Sequence, residues 1–362
     1  MKKFIYFFVS LALLASVSCS KGGIDPDEPV NGPSGSDEPA VAGLYILNSG
    51  NMGNNDATLA YYDTKTKVLS ADIFKQSNGK KMGDTGNDML IYGNKMYIAM
   101  TGSAVVFVTD LQGWILKEIT VQGEAANLSP RHLTTVNGKV YVSYMEGYVG
   151  AIDTSNFSVK TVKVGPMPEG MAYANKKVYV ANSDGYNWPY GKTISVIDPT
   201  SFTVTKTIEC PNNPQTFHVA SENKVYLITW GDYGEIPAQL HKINTSNDAI
   251  TTIEGIAPTN MAIGKDGIAY ILSTVYDENW NATTSYDTFD TTKDKLVGEF
   301  VSESDVPNGY SLFADKLTGN VYIGASDYIS NGDVYIVSSD GQVVGKFDTG
   351  ALNPITICSV NK

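Results

Sequence analysis

The feature that most constrains this chain is a repeat. An apolar residue, a tyrosine and a further apolar or small residue recur seven times: "LYILN" at Tyr45, "MYIAM" at Tyr97, "VYVSY" at Tyr141, "VYVAN" at Tyr179, "VYLIT" at Tyr226, "AYILS" at Tyr270 and "VYIGA" at Tyr322. A short strand-like run ending in a turn trails each copy, with Asp63, Asp110, Asp153, Asp198, Asn244, Asp290 and Ser339 at the turns. A proline loop precedes most copies, at Pro130, Pro168, Pro214, Pro258, Pro307 and Pro354, and "TGND" at 85 replaces it once. The six intervals from Tyr45 to Tyr322 average about 46 residues, the length of a four-stranded propeller blade. Helical periodicity is absent, and β-branched and aromatic runs are bounded by Gly, Asn and Asp. The expectation is all-β: a seven-bladed β-propeller over residues 41–362.

The ends of the repeat agree. The first copy starts at its tyrosine strand, with no innermost strand before it, and the chain finishes on a spare one, "ITICS" at 355–359. That strand should complete the first blade and close the ring, since a partial ring would expose an open edge.

Residues 1–18 lie outside this pattern. Lys2 and Lys3, the apolar run 4–15 and the small residues before Cys19 read as a secretory signal. The ending resembles a bacterial lipobox, with Ser16 where Leu is commonest, which would make Cys19 the lipidated first residue. Residues 19–40 are Gly, Pro, Ser and acid, a disordered tether. Its Asp25, Asp27 and Glu28 resemble the acidic export signal of surface lipoproteins in Gram-negative gut anaerobes. The implied location is the outer membrane, facing outward. The net charge of -12 becomes -14 without Lys2 and Lys3, which disfavours nucleic acid as a partner. Cys210 and Cys358 sit in apolar strand contexts and read as buried thiols rather than a bridge.

The repeated residues are expected to be structural. The tyrosines fill the layers between blades, and the turn carboxylates accept backbone N–H groups. Function should lie in what the repeat does not dictate. Following the chain through a blade, the loops between the second and third strands emerge on the same face as the proline loops, here called the upper face. These loops carry Trp188, Trp230 and Trp280, with Tyr144, Tyr186, Tyr190, Tyr233, Tyr276 and Tyr328, and the richest belong to blades four, five and six. Trp114 falls on the other face. Small local cores would account for one such loop, whereas aromatics grouped across adjacent blades mark a binding surface. The residues after the prolines should rim the central funnel: Arg131, His132, Glu169, Gln215, Thr259, Asn260 and Asn308, with Asn87 and Asp88 in the divergent copy. This set both donates and accepts hydrogen bonds. Loop capping would account for any single member equally well.

The repeat resembles the lactonase-like, surface-layer-type propellers of the YncE-like superfamily. Lyases and lactonases with this architecture use funnel-facing histidines or carboxylates, often with a divalent metal, and His132 with Glu169 and Asp88 would be the thin counterpart here. No GxSxG, HExxH, CxxC or Walker A motif is present. The expectation is therefore a binding protein without metal or cofactor, not an enzyme. A lipid-anchored propeller with an aromatic, amide-rich face is similar to the BtuG-type surface cobalamin-capture lipoproteins. The resemblance implies a corrinoid ligand and a TonB-dependent outer-membrane transporter as partner. Aromatic walls would cover the macrocycle while Asn, Gln and Thr pair with its amide arms. The same face would suit a glycan, and the sequence leaves both open.

Lipidation makes one prediction. Cys19→Ala protein should lose metabolic palmitate labelling and leave the outer-membrane fraction; membrane retention of the substituted protein would refute the anchor.

Overall fold

A computed structural model describes residues 41–276 and 282–361. Cys19 and Trp280 lie outside the described residues. Seven four-stranded antiparallel sheets form the seven blades. Blade one consists of Val41–Asn48, Thr58–Asp63 and Val68–Ser70, with the C-terminal strand Pro354–Asn361 as its innermost member. The closing register pairs Leu44 with Ser359, Tyr45 with Cys358 and Ile46 with Ile357. In blades three, four and five the innermost strand opens at the proline itself, in Pro130–Val136, Pro168–Ala174 and Pro214–Ser221.

The apolar core lies between blades rather than at the centre. Seven buried clusters occupy the seven blade interfaces. A blade is thus apolar on both faces, which is why its second and third strands lack clean alternation. Val178, Tyr179, Val180 and Ala181 in the second strand of blade four are all buried, the first and third facing blade three and Tyr179 facing blade five. The C-terminal strand supplies two interfaces, Cys358 and Val360 between blades one and two and Ile357 between blades seven and one.

The repeated tyrosines are latches as well as fillers. Three of them hydrogen-bond to the lower-face turn of the next blade. Tyr45 donates to the carbonyl of Leu111 at 2.6 Å. Tyr179 donates to Asp248 at 2.7 Å, and Lys177 and Lys206 reach the same carboxylate at 2.7 and 3.0 Å. Tyr226, Lys224 and Lys242 converge in the same way on Asp294. The residue four beyond the turn Asx decides the latch. Where it is Phe202 in place of Asp, Tyr141 packs edge-on against it at 5.4 Å.

The turn residues behave as the sequence suggests. Asp63, Asp153, Asp198 and Asp290 each accept N–H groups two and three residues on. In blade seven the position is held by Ser338, one residue earlier than expected, whose N–H closes the turn on the Gln342 carbonyl at 2.9 Å. A six-residue helix, Ile73–Asn78, was not anticipated; Asp72 caps it, accepting from the Lys75 N–H, and Phe74 is buried between blades one and two. Cys210 is half-buried rather than buried, with burial pushing its thiol up to about 12, and no disulfide joins it to the buried Cys358.

Two predictions follow from these contacts. Truncation before Pro354 removes three buried apolar side chains worth about 1.5–3 kcal/mol each, a loss comparable to the whole stability of a domain. The truncated protein should be insoluble or molten, and cooperative melting at the parental temperature would refute ring closure as the organising contact. For Asp248, burial alone would raise the carboxyl, but hydrogen bonds from Lys177, Tyr179 and Lys206 outweigh it and hold the group below its ordinary range. Asp294 is held down in the same way. A depressed carboxyl contributes stability above its unfolded value, near 4, and loses it as pH falls through the folded one. Asp248→Ala and Asp294→Ala should each cost about 2–4 kcal/mol at neutral pH. Asp248→Asn should flatten the fall of melting temperature below about pH 4; an unchanged acid limb would refute the latch.

Candidate functional site

The upper face is built from loops of very unequal height. Between the second and third strands, blades two and three have only residues 101–104 and 145–147. Blades one, four, five and seven have residues 49–57, 183–192, 230–238 and 326–332.

The loops of blades four and five form one aromatic row. Trp188 meets Tyr190 edge-on at 5.5 Å, Tyr190 meets Tyr233 at 5.7 Å, and Tyr233 meets Trp230 at 6.5 Å. Packing has not hidden the rings: Trp188 remains 71% exposed and Tyr233 67%. Tyr186 is exposed beside them. A loop core would bury its own aromatics, so local packing does not explain this row. Tyr328 makes a second pair with Tyr310 of the innermost strand of blade seven, at 5.7 Å.

The row is fastened from below by the proline loop between blades four and five. The Asn213 N–H donates to Gly191 O at 2.8 Å, and the Trp230 N–H donates to Asn213 O at 3.0 Å, so one residue ties both loops. Asn212 Nδ2 donates to Gly231 O at 2.9 Å. Gly231 has φ +64°, and a Cβ there would lie 1.9 Å from Ile236 O, so no other residue fits. Tyr233 and Tyr328 also hold left-handed backbone, at φ 58° and 62°. Such bulky residues pay about 1–2 kcal/mol for that conformation.

Sequence reasoning erred on one ring and missed four aliphatic tips. Tyr144 ends the strand Lys139–Tyr144 and is 1% exposed in the core between blades two and three, because the turn after it is only three residues long. It is not part of the rim. Tyr276 ends the strand Ile268–Tyr276 at the upper face. Met52, Ile236, Val275 and Ile329 are exposed on this face and continue the apolar crescent through blades one, five, six and seven. A search for aromatics alone overlooks them.

Inside the crescent the funnel residues divide into two groups. Gln215, Thr259, Asn260 and Asn308 satisfy local needs: Gln215 donates to Asn213 Oδ1 at 2.6 Å, Thr259 to Leu272 O at 3.1 Å, and Asn260 accepts from its neighbour's N–H at 2.8 Å. Asn308 is exposed, at φ 57°, and its carbonyl accepts from Ser326 N. Asn87, Asp88, Arg131, His132 and Glu169 form a charged network across blades two, three and four. Arg131 Nε and Nη2 reach Glu169 Oε2 at 2.9 and 2.8 Å, and Nη1 donates to Asn87 Oδ1 at 2.8 Å. The His132 ring lies between Asp88 Oδ2 at 3.7 Å and Glu169 Oε2 at 3.4 Å. Asp88 Oδ2 also accepts the Leu133 N–H at 2.9 Å.

These contacts set the charges. Burial would lower the His132 pKa, but the hydrogen bonds and charges of Asp88 and Glu169 outweigh it and raise it above the ordinary value. Burial would raise Glu169, yet His132 and Arg131 hold its carboxyl below the usual range. The Tyr233 hydroxyl is raised by burial and by the charges of Tyr190, Glu169 and Tyr186, against a lowering contact from the Asn213 side chain. Of the other histidines, His241 is buried between Thr229 and Thr252 and pushed down to about 4 by that burial, and His218 contacts Thr216 on the innermost strand of blade five. Among the described residues, no group of three or more His, Cys, Asp and Glu side chains is placed to hold a metal ion.

Known structures share the architecture at low identity. A quinonprotein alcohol dehydrogenase-like protein from Bacteroides thetaiotaomicron aligns over 89% of this chain and 79% of its own, with TM-score 0.64 and 18% identity. AztD from Citrobacter koseri, in its apo form, aligns over 89% and 99%, with TM-score 0.57 and 10% identity. At these identities the likeness shows the fold alone. No curated protein matches the sequence. The model of the domain of unknown function DUF5074 matches residues 42–285, most of the propeller, and the chain belongs to that family.

Proposed function

We propose that this protein binds a large, flat small molecule with a polar periphery on its upper face, and that the ligand is a corrinoid. The observation that carries the reading is the row Trp188–Tyr190–Tyr233–Trp230, which stays largely exposed across two adjacent blades. Aromatic faces and aliphatic tips cover a broad apolar body, and the funnel supplies donors and acceptors for its edge. The backbone strain at Tyr233 and Tyr328 is of the kind that persists where a fold must present a side chain in a fixed place. A lipid anchor at Cys19 and hand-over to a TonB-dependent transporter belong to the same proposal.

Binding rather than catalysis is favoured by the funnel chemistry. Glu169 is ionised and bound by Arg131, which is a poor arrangement for a general acid and leaves it weakly basic. A glycan is the second reading, because sugar rings also stack on Trp and Tyr.

The test is co-elution of the soluble domain with cyanocobalamin on a sizing column, followed by the red pigment. Trp188→Ala and Tyr233→Ala should each weaken binding by at least ~2 kcal/mol, roughly thirtyfold, as truncated aromatic anchors do. Trp114→Ala, on the lower face, should bind as the parent does. No pigment in the protein peak would overturn the corrinoid reading and turn the search to glycans.

A further inference from the structure

The Glu169 carboxylate is engaged on one side only. Arg131 Nε donates to Oε2 at 2.9 Å, and Arg131 Nη2 and His132 Nε2 lie 2.8 and 3.4 Å from the same oxygen as charge contacts. No described residue donates to Oε1, although Glu169 is only 5% exposed. Oε1 is not itself a fully buried atom: it keeps a solvent-facing edge and stands open as an acceptor. Arg131 is the complement. A guanidinium carries five N–H groups, and two make hydrogen bonds here, one to Glu169 and one to Asn87. The remaining three belong to Nη1 and Nη2.

The pair is held still. Asn87 grips Arg131 twice, accepting from Nη1 and donating through Nδ2 to the Arg131 carbonyl at 2.8 Å. Asn87 is itself buried. The planar guanidinium therefore presents its fork in a set direction beside an open carboxylate oxygen.

We propose that Arg131 and Glu169 form a subsite that reads one primary carboxamide of the ligand. The amide N–H donates to Glu169 Oε1, and the amide oxygen accepts from an Arg131 Nη–H. Charge selects this group. A carboxylate in the same place would face the Glu169 charge, and an ammonium would face Arg131 and His132. A neutral, planar group that carries one donor and one acceptor satisfies both partners without burying a new charge. This subsite rests on the proposed capture of a corrinoid, whose edge carries such arms, and names which residues distinguish the amide from its acid.

Calorimetric titration of the soluble domain tests it, using cyanocobalamin and the series of derivatives in which one amide arm is hydrolysed to a carboxylate. One member of the series should bind at least ~tenfold more weakly than the parent, about 1.4 kcal/mol. Glu169→Gln should weaken cyanocobalamin and close the gap to that member, because the repelling charge is gone; a mere loss of packing would weaken both equally. Equal binding of all members to the parent protein, or an unchanged gap in E169Q, would overturn the subsite. A fragment titration on the unsubstituted domain separates this from the ligand question. The chain has three histidines, and loss of one ring signal in His132→Gln assigns His132 by NMR. Propionamide at high concentration should shift that signal and propionate should not. If cyanocobalamin fails to bind while propionamide shifts His132, the corrinoid reading falls and the subsite stands. If propionamide leaves His132 unmoved, the subsite falls whatever the ligand.

Discussion

Everything in this molecule depends on the apolar layer between adjacent blades. No blade has a core of its own. Each is a twisted four-stranded sheet buried on both faces, so it is stable only between two neighbours. The requirement closes on itself at blade one, where residues from both chain ends share the two layers around the ring: Tyr45 and Leu47 with Cys358 and Val360 on one side, Leu44 and Ile46 with Ile357 on the other. Ser359 adds a polar tie, donating to the buried Asp315 of blade seven at 2.6 Å. The ring is therefore a cooperative object.

The two faces follow different rules. On the lower face the sequence repeats because the work repeats: a turn residue accepts backbone N–H groups, and tyrosines of three blades reach the following turn. Lys177, Lys206, Lys224 and Lys242 are recruited only where the turn supplies Asp248 or Asp294. On the upper face nothing in the ring fixes loop length, so blades two and three stay low while the others rise around them. The asymmetry leaves the charged network of Asn87, Asp88, Arg131, His132 and Glu169 beneath the low side of the crescent.

The fold was legible because its physics is periodic. Tyr45 to Tyr322 mark the second strands, and the spare strand at 355–359 announces closure, since both follow from one unit being repeated and then completed. The site was legible only by residue type. Trp188, Tyr190, Trp230 and Tyr233 could be placed on neighbouring loops from the repeat alone, and the structure brings each ring of the row within 6.5 Å of the next. Tyr144 failed because membership of strand or loop turned on a single residue, which no repeat fixes. Met52 and Ile329 went unseen because an aliphatic side chain in a loop carries no signal until its exposure is known. The funnel ring was foreseen as a set, but which members pair was not. Arg131 chooses Glu169 and Asn87 through the radial spacing of three innermost strands, a quantity that does not exist along the chain.

The Arg131–Glu169 pair also shows why a buried ion pair can be kept without adding much stability. Desolvating both groups offsets most of their attraction, so the pair is a weak argument for why the ring holds together. Its geometry tells more than its energy. The cationic nitrogens that reach Glu169 all lie on one oxygen, and the guanidinium is steered by Asn87 rather than spread over both carboxylate oxygens. A purely structural pair would gain from the symmetric two-oxygen contact that Arg and carboxylate form most strongly. The one-sided arrangement forgoes that gain and keeps an acceptor and a donor side by side at the channel. Tyr233 of the aromatic row feels the charge of Glu169. A ligand lying across both would meet an apolar wall and an oriented polar edge together, so shape and hydrogen bonding would be read in one contact rather than at two separate sites.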